Sequence, residues 1–139
     1  MLLDRKSLLK KEQLTTVKVD LGNDDFVFVR QMTGRERDNF EQSLLKRVKA
    51  PNGTITYEQS LNDFRAKLAV CTLSDEKGTA LLLPDDYPVL SQMMSAARLE
   101  KIVNAAQKLN KITEEDKEEL VKNSEAVPDG NSSSDSVAS

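Results

Sequence analysis

Few side chains of this chain are of the types that usually take part in catalysis. None of its 139 residues is histidine, and Cys71 is its only cysteine. Histidine supplies the base of Ser–His and Cys–His catalytic pairs and is the commonest metal ligand, so these chemistries lack their usual participant. Cys71 falls on the apolar face of a predicted helix, where cysteine behaves as a small hydrophobic residue. We therefore expect no enzymatic activity, no catalytic residues and no cofactor.

Carboxylates are densest near the C-terminus, where they form one acidic cluster. Its members are Glu114, Glu115, Asp116, Glu118 and Glu119. Carboxylate oxygens suit divalent cations, but these residues surround a predicted helix instead of converging, and they lack the spacing of a calcium-binding loop. The helix dipole favours acidic residues in a first turn. The cluster thus indicates a solvated helix start, and we expect no metal site.

Basic residues are frequent between positions 35 and 49 but are interleaved with acids. Residues 1–49 contain 11 Lys and Arg against 8 Asp and Glu, whereas residues 50–139 contain 9 against 15. Binding to a nucleic acid backbone requires cationic side chains that add along one surface. The interleaving favours a solvated helix face, and we expect no nucleic acid partner. A small DNA-binding regulator that uses residues 35–49 stays open as an alternative.

Met32, Met93 and Met94 are flexible apolar residues with two open interpretations. Methionine fills irregular gaps in a core, and it also repacks easily against different partners. The three residues therefore either complete the core or line an adaptable groove for a partner helix.

A predicted β-hairpin and a capped helix form the N-terminal half. Residues 15–21 alternate between apolar and polar types, residues 22–25 have turn composition, and residues 26–31 return as a second strand. Thr33 then stands three residues before Glu36, which is the spacing of a capping box. The sequence thus predicts a strand that leads directly into a helix.

Apolar spacing predicts three longer helices, at residues 35–48, 57–73 and 95–109. Shorter helical segments are expected at residues 4–13, 85–93 and 113–120, and in the first of these Leu8 and Leu9 are expected to point inward. A hairpin alone is marginally stable and must pack on other elements. The expected fold is α+β and mostly helical, with the N-terminal β-hairpin packed on about three main helices.

One domain is expected at residues 1–122, followed by a disordered Ser-rich tail at residues 123–139. The tail lacks the apolar residues needed to offset the entropy of ordering. No apolar run approaches the roughly 18 residues of a membrane span, and the N-terminal residues lack the apolar centre of a signal peptide. We expect a cytosolic protein without a membrane partner.

Three segments in this order resemble the tail assembly chaperone family of tailed, siphovirus-type bacteriophages. They are Val29-Arg-Gln-Met-Thr-Gly-Arg-Glu-Arg-Asp-Asn-Phe40, Asp63-Phe-Arg-Ala-Lys-Leu-Ala-Val-Cys-Thr-Leu-Ser-Asp-Glu-Lys-Gly78 and Leu109-Asn-Lys-Ile-Thr-Glu-Glu-Asp116. The resemblance extends over about residues 12–123 and leaves out the Ser-rich end.

The resemblance implies a non-enzymatic protein that acts by binding other proteins. Members of the family bind the tape measure protein in the host bacterial cytoplasm, keep it soluble, help to recruit major tail tube subunits, and are absent from the mature virion. Many also exist in a form extended by a ribosomal frameshift, so such a form and a homo-oligomer are further expected partners. A structural tail protein or a head–tail connector or completion protein of the virion remains the main alternative.

The residues expected to carry the family signature or to contact a partner fall in three places. They are Thr33, Gly34, Arg35, Glu36, Arg37 and Phe40 at the predicted capped helix, Arg65 in the second segment, and the pair Met93 and Met94. Capping by Thr33 and Glu36 and packing by Phe40 would make most of them scaffold residues.

Overall fold

A computed structural model describes residues 1–112 of the chain. The predicted helix at residues 113–120, with its acidic cluster, and the predicted tail at residues 123–139 lie outside the described residues. The elements are, in chain order, α1 (Arg5–Leu8), β1 (Thr16–Gly22), β2 (Asp25–Arg30), α2 (Gly34–Ser43), β3 (Leu45–Lys49), β4 (Ile55–Gln59), α3 (Phe64–Thr72), β5 (Leu73–Ser74), α4 (Tyr87–Met93) and α5 (Ala96–Leu109). A 3-10 turn at Pro84–Asp86 leads into α4.

The predicted N-terminal hairpin is confirmed as strands β1 and β2. They pair antiparallel, with Thr16 opposite Arg30 at the open end. Asn23 and Asp24 turn the chain with positive φ, a conformation that Asn and Asp adopt more readily than most residues. The short strand β5 pairs with the other edge of β2, so the strand order of this sheet is β1–β2–β5.

Helices α3 and α5 pack on each other and on this sheet to form the core. Leu68 and Ala69 of α3 and Ile102 and Ala106 of α5 are fully buried, as is Val29 of the sheet. The buried positions of α5 recur at spacings of three and four residues, which gives one apolar stripe on a 14-residue helix. The helix predicted at residues 95–109 is thereby confirmed.

The other two predicted long helices are wrong in part, because a second β-hairpin replaces the C-terminal end of the first and the N-terminal end of the second. The helix predicted at residues 35–48 ends at Ser43, and the helix predicted at residues 57–73 begins at Phe64. Between them, β3 and β4 pair antiparallel, and the connecting turn places Gly53 at a φ of +89°.

The residue types of β4 explain this correction. Ile55, Thr56 and Tyr57 are β-branched or aromatic, which strands favour, and Pro51-Asn-Gly53 supplies turn chemistry between the two strands. Tyr57 also has helical spacing to later apolar residues, and that periodicity predicted a helix. In the structure Tyr57 is 58% exposed, so the helical stripe begins only at Phe64.

The N-terminal helix is shorter than predicted. α1 is a single turn, capped by Asp4, whose carboxylate accepts a hydrogen bond from the amide of Ser7 at 2.9 Å. The expectation that Leu8 and Leu9 point inward is wrong, since they are 65% and 69% exposed. One helical turn is too short to be stable by itself, and tertiary packing on an apolar face is what usually stabilises a helix.

The α+β class is confirmed, but strands take a larger share than the sequence predicts. The second hairpin forms a separate two-stranded sheet that follows α2. Among residues 1–112, no helix combines the length and the apolar character needed to cross a bilayer.

Ile102→Ala tests the contact between α3 and α5. The side chain of Ile102 is fully buried, and its loss should lower the free energy of unfolding by about 2–5 kcal/mol through lost transfer energy and the cavity left behind. Denaturant-induced unfolding measures the change. The exposed neighbour Lys101 is the control, and Lys101→Ala should stay within about 0.5 kcal/mol of the natural protein. Equal effects of the two substitutions would contradict this packing.

Candidate partner-binding groove

An open apolar groove lies where α4, the start of α5 and the turn of the first hairpin meet. Its volume is about 750 Å³. Its apolar lining residues are Leu82, Val89, Leu90, Met93 and Met94, and its polar lining residues, which we call the rim residues, are Asn23, Asp86, Ser95 and Arg98. Protein interfaces likewise combine apolar with polar groups.

Met93 and Met94 take different roles in this groove. Met93, the last residue of α4, is 79% exposed, whereas Met94 packs against the core. Val89, four residues before Met93, is 61% exposed. Since residues four apart share a helix face, Val89 and Met93 form one exposed apolar stripe, while Leu90 and Met94 hold the helix on the core.

The exposed stripe is a source of binding energy for an apolar partner. Complete burial of a valine or methionine side chain contributes up to about 3 kcal/mol. Val89 and Met93 are mostly exposed in the free chain, so most of that contribution is still available to a partner.

Hydrogen bonds of the rim residues hold the groove in shape. The guanidinium of Arg98 donates to Asp25 beside the hairpin turn, and the hydroxyl of Ser95 caps α5. The carboxylate of Asp86 accepts from the amide of Leu83 at 2.7 Å. These contacts fix the hairpin, α5 and the 3-10 turn, so the groove is formed before a partner binds.

Two contacts attach α4 to α3. The hydroxyl of Ser91 donates to the carboxylate of Asp63 at 2.7 Å. The ammonium of Lys67 lies 5.2 Å from the centre of the Tyr87 ring, within the range of a cation–π interaction. These two contacts thus hold α4, the helix that carries the exposed stripe, against α3.

The predicted capping box is confirmed at the start of α2. The hydroxyl of Thr33 accepts from the amide of Glu36 at 3.2 Å, and the Glu36 carboxylate accepts from the amide of Thr33 at 2.9 Å. The other carboxylate oxygen of Glu36 accepts from the guanidinium of Arg30 at 2.8 Å. Arg30 is buried and also donates to the carbonyl of Cys71, so the junction joins β2, α2 and α3.

Opposing effects set the pKa of Glu36. Partial burial raises the pKa, but hydrogen bonds from Arg30 and Thr33 and the positive charge of Arg30 outweigh burial and hold the pKa of that carboxyl below its usual value. Glu36 therefore stays ionised and balances the buried guanidinium at neutral pH.

Arg37 and Phe40 extend the junction. Arg37 donates to the carbonyl of Asn110 at 3.0 Å, and the side chain of Asn110 accepts from the amide of Met32 at 2.7 Å. The ring of Phe40 is buried and meets that of Phe64 edge-on, with 5.6 Å between their centres. Both residues thus fix α2 on the core.

The remaining signature residues are more exposed. Gly34 is the first residue of α2, and a Cβ added there would meet nothing within 4 Å. Arg35 is exposed on the same helix. Arg65 pairs with Glu100 at 2.7 Å, which links α3 to α5 at the surface.

The structure does not bring the predicted site residues together. The capping junction contacts the end of α5 through Asn110, whereas the methionine pair precedes the start of that helix. Fourteen helical residues span about 20 Å. The predicted residues therefore form two groups, a scaffold junction at one end of α5 and the wall of the groove at the other.

Cys71 is half-buried and poorly suited to nucleophilic chemistry. Burial raises the pKa of its thiol, the nearby charge of Glu36 raises it further, and Arg30 only partly opposes them. The reactive form of cysteine is the thiolate, so this environment keeps Cys71 in its unreactive state.

The basic residues of positions 35–49 do not share one helix, because α2 ends at Ser43 and β3 carries the rest. The DNA-binding alternative assumed one helix that carries all the basic residues from 35 to 49, and α2 does not carry them all. Within residues 1–112, no group of three or more Cys, Asp or Glu side chains is placed to hold a metal ion.

Sequence reasoning missed Val89, Arg98 and Arg30. The spacing of Val89 and Met93 on a predicted helix was a usable signal for the exposed stripe. The contact of Arg98 with Asp25 spans 73 residues, and the burial of Arg30 depends on α2 and α3. No local pattern indicates either.

Glu36→Gln tests the charge at the junction, because Gln keeps the length needed for the capping box. Loss of the charge-assisted bond to Arg30, discounted for the partial exposure of Glu36, should lower the unfolding free energy by about 1–2 kcal/mol at pH 7. The folded-state pKa of Glu36 is depressed, so its contribution is present at neutral pH and disappears as the pH falls through that lowered pKa. Denaturation at several pH values measures it.

Glu41→Gln is the matched control, since Glu41 pairs with Arg37 on the same helix at greater exposure. Its effect should be about 0.5 kcal/mol or less. A difference between natural and Glu36→Gln protein that is independent of pH would contradict the assigned role of the charge.

Comparison of the chain with family models, with curated proteins and with solved structures gave no match.

Proposed function

We propose that this protein is a tail assembly chaperone of a siphovirus-type bacteriophage, which binds the tape measure protein and keeps it soluble. The observation that carries the proposal is the exposed stripe of Val89 and Met93 beside a preformed groove. An amphipathic helix binds such a groove with its apolar face. Tape measure proteins are long and largely helical in the family that the sequence resembles, so they present suitable segments.

Shielding is the physical task in this proposal. Apolar helix faces that await their partners associate with one another and aggregate. A groove that covers one such face, with Asp86 and Arg98 at its border, removes apolar surface from water and places charge around it. The bound segment then becomes more soluble than the free one.

The remaining parts of the proposal follow the family resemblance. The mainly helical domain of residues 1–122 is the binding unit. It acts in the host cytoplasm, helps to recruit the major tail tube protein, and leaves the assembly before the virion matures. A frameshift-extended form and a second copy of the chain are further partners.

The exposed stripe supplies the test of this function. Met93→Asp should weaken binding to the tape measure protein of the same genome at least about tenfold, because a carboxylate would then be desolvated at the centre of the contact. Co-expression with the tape measure protein, followed by pull-down and a measurement of its soluble fraction, checks this expectation.

Leu8→Asp is the matched control, since Leu8 is also an exposed apolar residue but lies on α1. It should leave binding unchanged. If the tape measure protein neither binds the natural chain nor becomes more soluble, and the chain is found in purified virions, the chaperone proposal fails and the structural alternative replaces it.

A further inference from the structure

Strand β1 forms one edge of the first sheet. It pairs with β2 on one side, and within residues 1–112 no strand pairs with its other side. The opposite edge of the sheet is formed by β5, where Ser74 also bridges to Ala80. An unpaired strand edge presents amides and carbonyls that another strand can bind. The sheet can therefore be extended along β1.

The pairing of β1 with β2 determines which backbone groups of β1 point toward the free edge. The amide of Gln31 donates to the carbonyl of Thr15 at 3.0 Å. Residues of an antiparallel pair alternate between hydrogen-bonded and non-hydrogen-bonded positions, so residues 15, 17 and 19 bond toward β2. The amides and carbonyls of Thr16, Lys18 and Asp20 therefore point outward, where a further strand can bind them.

The charges on β1 favour one register for pairing with a second copy of itself. In a two-fold symmetric contact, a residue i that meets residue j of the partner is matched by j meeting i. If Val19 lies on the axis, Lys18 of each copy stands opposite Asp20 of the other, and their outward backbone groups face each other. A register centred on Lys18 or on Asp20 would place like charges directly opposite, which is destabilising.

The side chains of β1 suit this register on both faces of the sheet. Lys18 and Asp20 are exposed, and neither forms an ion pair with another residue of the described range 1–112. The Lys18 ammonium lies over the Phe26 ring, 4.3 Å from its centre, which keeps this side chain on the exposed face. On the other face, Val17 and Val19 are only half-buried against the core, so a neighbouring strand can cover more of them.

Strand β3 is a contrasting edge. Its five residues include Lys46, Arg47 and Lys49 and no acidic residue. A second copy of β3 would bring cations together without a compensating carboxylate, and such charge is a common way to prevent association at a strand edge. The alternating signs on β1 give no such protection against a second copy of β1.

We propose that two copies of the chain pair antiparallel through the free edges of β1, centred on Val19, so that two three-stranded sheets become one of six strands. Ion pairs between Lys18 of each copy and Asp20 of the other fix the register. The contact is short, because β1 is irregular between Asp20 and Gly22, and small interfaces are weak and transient. The dimer therefore exchanges with the monomer. Residues of β1 do not line the groove, so this inference does not depend on the proposed function.

Charge reversal on β1 tests the proposal. Sedimentation velocity of the natural chain should show a dimer whose share rises with concentration. Lys18→Glu places acids opposite each other and Asp20→Lys places bases opposite each other, so each variant alone should dimerise at least about tenfold more weakly. An equimolar mixture of the two variants restores both opposite-charge pairs and should form a heterodimer of about natural affinity. Since recovery requires both variants to be folded, the mixture also controls for misfolding.

Two further variants and a local measurement identify the surface. Lys101→Glu makes the same charge change on the exposed side of α5 and should leave the dimer unchanged. Met93→Asp should also leave it unchanged, because Met93 lies in the groove. Hydrogen exchange at the amides of Lys18 and Asp20 should slow as the concentration of the natural chain rises.

Four results would overturn the proposal. The first is a natural chain that stays monomeric up to about 1 mM. The second is a dimer that survives both charge reversals, and the third is a mixture of the two variants that does not recover dimerisation. The fourth is loss of the dimer in Met93→Asp, which would assign the contact between copies to the groove.

Discussion

A buried guanidinium constrains how the first sheet and the helices can meet. Removing a charge from water is costly unless the charge is paired and hydrogen-bonded. Arg30 meets this condition only when Glu36 and the carbonyl of Cys71 are both in place, which requires α2 and α3 to approach the end of β2. The capping box holds Glu36 in position for that contact, so one local motif and one buried ion pair together set the direction of α2.

Helix α5 separates the scaffold from the candidate binding surface. Its C-terminal end holds the junction through Asn110, and its N-terminal end borders the groove through Ser95 and Arg98. Thr33, Glu36 and Phe40 form the clearest motif of the sequence, yet each is occupied by a cap or by packing. A clear motif here marks a structural requirement, and the exposed groove residues are carried by a less distinctive stretch of chain.

Local signals explain which elements were predictable. The first hairpin, the capping box and α5 each depend on residues within a few positions of one another, and all three were predicted. The stretch from Leu44 to Leu61 has both helical spacing and strand-forming residues. The turn at Gly53 favours the strands, but only once β3 and β4 pair with each other. The groove needs the hairpin turn, α4 and α5 in one place, and that arrangement depends on contacts such as Arg98 with Asp25, which no local pattern contains.

The two hairpins differ in how the core supports them. The first contributes Leu21 and Val29 to the buried cluster, whereas no residue from 45 to 60 belongs to that cluster. The second hairpin is closed at its base by the hydrogen bond from the amide of Ser60 to the carbonyl of Leu44, and a two-stranded sheet without a covered face is only marginally stable. Residues 1–112 therefore divide into two cooperative units: we expect β3 and β4 to open locally and to exchange their amide hydrogens quickly, while the helices around Leu68 and Ile102 exchange only through global unfolding.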